Sequence, residues 1–118
     1  MAIKPITDSA LTERWLRLVF WCLVTAVVAL ALIPDNSSHP PFALADKIAH
    51  AIAFFVITSV GLRAYPSQWW FVIPALVGLG ASIEIAQGYT STRSQEWEDF
   101  LADILGIATA AMAHRLHS

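Results

Sequence analysis

The sequence predicts an all-α fold, an integral membrane bundle of four transmembrane helices in up-down order. Three observations carry this. Hydrophobic residues make up 57 % of the 118 residues and charged residues only 14 %, with a mean hydropathy of +0.60. Soluble domains carry about 25 % charged residues, so this chain has too few to cover a wet surface. The apolar residues fall into four runs, each long enough to approach the thickness of a bilayer. The connections between the runs are rich in proline, serine, asparagine and charge, the composition of exposed turns.

The first run spans 15–33 and is stopped by Pro34, which cannot continue a helix. Lys4, Arg14 and Arg17 precede it. No small-residue cleavage site follows, so the expectation is a retained helix rather than a removed signal peptide. The second run spans 47–65, before Pro66. The third spans 69–87 and contains Pro74, which neighbouring helices tolerate in a membrane. The fourth spans 99–114. At about 1.5 Å per residue these 16–19 residue segments measure about 24–29 Å, close to the hydrocarbon thickness of about 30 Å. A soluble bundle would show a polar stripe on each helix. The first run is instead apolar all round from Leu18 to Ile33, and 69–82 carries no charge. The chain reads as a single domain.

Basic residues set the orientation. Lys4, Arg14, Arg17, Arg63 and Arg115 fall on one side of an up-down bundle, and only Lys47 and Arg93 on the other. Both termini are therefore expected in the cytoplasm. Trp15, Trp69 and Trp70 should lie at the inner interface and Trp97 at the outer one. Gly78 and Gly80 are expected to admit a neighbouring helix, as is the small-residue face Ala102, Gly106 and Ala110. Cys22, the single cysteine, lies in an apolar run with no metal-ligand partner nearby. The net charge of −2 gives no basic footprint for nucleic acid. No cofactor motif is present. Oligomeric state is left open.

The polar residues of the runs gather at three helix ends. Asp46, Lys47 and His50 open the second run, Glu84 and Gln87 close the third, and Asp99 and Asp103 open the fourth. An up-down bundle brings these ends to one membrane face. Asp46 and His50 are four apart and share a helix face. At about 100° per residue, Asp99, Asp103, Gly106 and Ala110 fall within about 60°, so the acids share the packing face. Ionisable groups inside a membrane cost roughly 2.5–3.5 kcal/mol at the helix centre and are functional candidates by default. Lys47 and Arg93 offset part of the acidic charge. A polar cap that merely orients the helices is the competing account.

These residues also resemble a known family. Asp46-Lys47-Ile48-Ala49-His50 is similar to the DKxxH motif of the VanZ-like proteins, and Glu84-Ile85-Ala86-Gln87 to their ExxQ. Arg93 and Asp99 match an arginine-to-aspartate spacing, and Ala102-Asp103-Ile104-Leu105-Gly106 resembles the closing motif. Many members carry asparagine where this chain has Asp103. The resemblance implies a bacterial inner-membrane protein and a link to glycopeptide resistance, since the family is named after a member connected with teicoplanin. It assigns no reaction. The expected site is therefore Asp46, Lys47, His50, Glu84, Gln87, Arg93, Asp99 and Asp103. It would bind a polar ligand at the outer face: a lipid headgroup, a lipid-linked cell-wall precursor or a lipoglycopeptide. Two alternatives stay open. One is an enzyme acting on lipid-linked substrates through His50, Glu84, Asp99 and Asp103, by a metal or by acid–base catalysis. It lacks an HExxH-type pair within one helix, and Ser94 has no triad context. The other is a proton- or ion-coupled transporter subunit, supported by buried acids alone.

Overall fold

A computed structural model describes residues 8–32, 43–89 and 97–116. Among them the chain is all-helical. The elements are α1 (Asp8–Leu32), α2 (Ala43–Ala64), a 3₁₀ turn (Pro66–Gln68), α3 (Trp69–Gly88) and α4 (Trp97–Leu116). No strand occurs among the described residues.

Helix ends follow from local chemistry. Pro66 disfavours the α conformation at the residue before it, and Tyr65 takes φ −130° and ψ 66°, which ends α2. α3 runs on through Pro74. α4 carries Glu98 and Asp99 in its first turn and His114 and Arg115 in its last, matching the helix dipole at both ends. The helices extend beyond the apolar runs. α1 starts at Asp8 rather than at residue 15, α2 at Ala43 rather than 47, and α4 covers Trp97–Leu116 rather than 99–114. Hydropathy marks the stretch suited to lipid, whereas the hydrogen-bonded ladder continues into polar turns such as Thr12-Glu13-Arg14.

The order is up-down. Near the start of α1, Arg17 Nε donates to the Ala64 carbonyl at the end of α2 (3.0 Å), and Trp21 Nε1 donates to the Tyr65 hydroxyl (2.9 Å). The Arg17 guanidinium also lies 4.7 Å from the centre of the Tyr65 ring, a cation–π contact worth about 0.5–1 kcal/mol at an exposed site. At the other end, Gln87 Nε2 of α3 donates to the Ala31 carbonyl of α1 (2.9 Å). Lys47 and His50 near the start of α2 meet Asp99 and Asp103 near the start of α4, so α2 and α4 run parallel, and theirs is the most extensive helix–helix packing among the described residues. Gly106 makes it possible. A Cβ built there would overlap the Ala51 carbonyl oxygen and sit 3.0 Å from the Phe55 nitrogen. Gly78 meets no neighbour, contrary to the expected close approach, because it lies about 200° round the helix from Gly80 at about 100° per residue. The core is Phe20, Phe54, Ile57, Leu62, Val72, Leu76, Ile83 and Ile107.

Three segments are long and apolar enough to cross a membrane: Ala10–Leu32, Lys47–Ala64 and Pro66–Gln87. Only 6 % of the first is buried by the rest of the protein, and Trp15, Leu18, Trp21 and Leu30 stand exposed along it. Such a surface is compatible with a membrane protein and costly in water. α4 does not reach the same standard. Glu98, Asp99, Asp103 and Arg115 place at least three charges in every 18-residue window of it. The exposed tryptophans include Trp15, Trp69, Trp70 and Trp97, and Cys22 is exposed as well.

Candidate functional site

The up-down order brings the start of α2, the end of α3 and the start of α4 to one end of the bundle. His50 reaches across from α2 to α4. Its Nδ1 lies 2.9 Å from Asp103 Oδ1, a hydrogen bond whose donor depends on the ring tautomer. Its Nε2 is 3.7 Å from Asp99 Oδ2, in ion-pair range only. Glu84 enters from α3. Both Glu84 and Asp103 are 0 % exposed, and Asp99 is buried too. One ligand-capable atom from each of His50, Glu84 and Asp103 falls within 4.8 Å of the other two.

Two small residues set this geometry. A Cβ on Gly80 would sit 3.0 Å from Asp103 Oδ2, so glycine on α3 leaves room for the Asp103 carboxylate, one turn below Glu84. Gly106, three residues beyond Asp103, draws α4 onto α2 and fixes the distance His50 must bridge. Asp99, Asp103, Gly106 and Ala110 all lie on the buried face of α4, with Ile107 among them.

Lys47 sits at the mouth of the cluster, 3.4 Å from Glu98 Oε2 and 3.5 Å from Asp99 Oδ1. Glu98 is mostly exposed, so that pairing contributes little to stability. The contact with buried Asp99 matters more. Of the expected site residues, Asp46 lies in α2 with its side chain outside the described residues, and Arg93 lies outside them altogether. Gln87 is buried beside the cluster but holds α1 through the Ala31 carbonyl. The pairing of Glu98 with Lys47, and the use of the Ala31 backbone oxygen, were not foreseen. Neither leaves a signal in the spacing of one helix, because both depend on how helices are rotated against each other.

A cavity of about 240 Å³ opens beside the cluster, between α1, α2 and α3. Its walls are apolar, including Val27, Leu30, Phe54 and Ile83, and its polar lining residues are His50 and Gln87. An apolar cleft ending in two polar side chains suits a ligand with an apolar tail and a polar head. No protein-family model, curated protein or solved structure matches this chain. The resemblance to the VanZ-like proteins thus rests on the four short motifs themselves.

Proposed function

We propose that the chain is a VanZ-like protein of the bacterial cytoplasmic membrane. All four helices cross the bilayer, both termini are cytoplasmic, and the cleft at the outer end binds the polar head of an amphiphile. Candidate ligands are a membrane lipid, a lipid-linked cell-wall precursor or a lipoglycopeptide. The observation that carries this reading is the cleft itself, apolar along its length and tipped with His50 and Gln87.

α4 fits as the fourth span because its charges are sorted by face. Asp99 and Asp103 turn inward, while Leu101, Leu105 and Met112 are each at least 60 % exposed. Hydropathy averaged round the helix understates how apolar its outer face is. Its 20 residues measure about 30 Å. The positive residues supply the orientation.

The test is ligand retention. Protein purified in mild detergent should carry an amphiphile visible by native mass spectrometry. Ala53→Phe, which fills the cleft, and His50→Gln, which alters its polar end, should each cut retention about tenfold, equivalent to about 1.4 kcal/mol. Helicity and thermal midpoint serve as folding controls. Equal retention by wild type and both variants would refute the reading. A host expressing the protein should also tolerate more teicoplanin, and the same variants should lose that gain. No change in susceptibility would remove the link to resistance.

One observation favours an enzyme as the second reading. His50 is oriented by a buried carboxylate at 2.9 Å, the arrangement of a general base and its positioning partner. Release of phosphate from lipid pyrophosphates by the purified protein, lost in His50→Gln, would support it.

A further inference from the structure

We infer that His50, Glu84 and Asp103 bind a divalent transition-metal ion, zinc foremost. The inference deepens the binding reading above and rests on it only for the ligand that would meet the ion.

The argument begins with convergence. Three residues on three different helices, far apart in sequence, each bring one donor atom to within 4.8 Å of the others. Bonds of about 2.0–2.2 Å to a tetrahedral zinc ion place donors about 3.3–3.6 Å apart, so the widest pair of the set has to close by at most about 1.2–1.5 Å, within reach of side-chain rotation. His50 Nδ1 and Asp103 Oδ1, at 2.9 Å, are already closer than that spacing. The donors are held by the fold. Glu84 and Asp103 are fully buried on packed helices, and Gly80 leaves the space Asp103 occupies.

Donor chemistry narrows the ion. Calcium and magnesium prefer all-oxygen shells, and magnesium keeps its waters. One imidazole with two carboxylates suits zinc, manganese or iron, and three protein donors leave a coordination position open. Asp99, 3.7 Å from His50 Nε2, lies outside the set and beyond hydrogen-bond distance of the ring, where it adds negative charge beside the ion. The side chain of His50 is 19 % exposed, and it borders the cleft, which gives the ion and its fourth ligand a way in.

A metal there would change what the site can recognise. Carboxylates alone repel a phosphate or carboxylate head. An ion on those carboxylates presents positive charge to the cleft and becomes the largest local charge in the site. The ligand class that follows is an amphiphile with an anionic head, phosphate or carboxylate, coordinating the open position while its tail lies along Val27, Leu30 and Phe54.

The test uses full-length protein freed of any affinity tag, stripped with a chelator in detergent, then titrated with zinc chloride alone by calorimetry and elemental analysis. Wild type should take up one zinc per chain and gain thermal stability. Glu84→Gln, His50→Gln and Asp103→Asn should each weaken binding by more than the roughly 100-fold that loss of an orienting partner costs. Thr109→Ala, on the exposed side of α4 and outside the cluster, should bind as wild type. Magnesium and calcium chloride at the same concentration should leave the melting curve unmoved. Proton competition should weaken zinc binding as pH falls. Wild-type protein that takes up no zinc, or triad variants that bind like wild type, would overturn the metal site. Amphiphile retained by chelator-treated protein would then leave the binding reading standing. Zinc uptake without any retained amphiphile would do the reverse.

Discussion

Gly106→Ala should separate α2 from α4 and lower the stability of the folded protein by about 3 kcal/mol, the upper end for forcing an extra methyl into a packed contact. The new Cβ would meet the Ala51 carbonyl oxygen and the Phe55 nitrogen, which are backbone atoms that no side-chain rotation can move. The helices themselves must shift. α2–α4 is the largest interface of the bundle, and small residues are what let helices approach closely when lipid supplies no hydrophobic drive between them. The same shift lengthens the reach from His50 to Asp103, so ligand retention should fall with stability. Thermal unfolding in detergent, followed by circular dichroism, reads the first effect. Gly78→Ala is the matched control. A Cβ there meets nothing, so its midpoint should stay at or above the wild-type value, since alanine is the better helix former.

His50→Leu should be as damaging, for an electrostatic reason. The substitution removes the group 2.9 Å from Asp103 Oδ1 inside the bundle. Removing one partner of a hydrogen bond to a buried polar group costs about 1–3 kcal/mol, and more where that group is charged. The double variant His50→Leu/Asp103→Leu should recover part of that loss, with a coupling energy of about 0.5–3 kcal/mol between the two sites. Additive losses would mean that the pair contributes no mutual stabilisation. Lys47→Leu should cost less than His50→Leu, since one of its two partners, Glu98, is largely solvated.

Much of the fold was legible because hydropathy and proline act locally. Pro66 ends α2 by a steric rule that needs no tertiary information. α1 and α4 run past the apolar segments because polar residues such as Glu13 and Glu98 extend a helix while leaving its apolar run unchanged. At the site, Asp99, Asp103, Gly106 and Ala110 could be placed on one buried face from their spacing. Partner choice could not be read this way. Spacing along α2 cannot say that His50 meets Asp103 at hydrogen-bond distance and Asp99 at 3.7 Å, nor that Gln87 is tied to α1. Those depend on the rotation and depth of one helix against another. Gly78 and Gly80 illustrate the same limit: composition made them equivalent, and helix rotation left only Gly80 facing Asp103.

In the proposed bundle α4 is the fourth span and holds the polar cluster at the outer membrane face. Single cysteines, placed in a Cys22→Ser background, test it most directly in right-side-out membrane vesicles. A membrane-impermeant maleimide should label Glu98→Cys without lysis, and should label Ser67→Cys and Leu116→Cys only after the vesicles are opened. Labelling of Glu98→Cys and Leu116→Cys from the same side would contradict the account, because α4 would then not cross the bilayer.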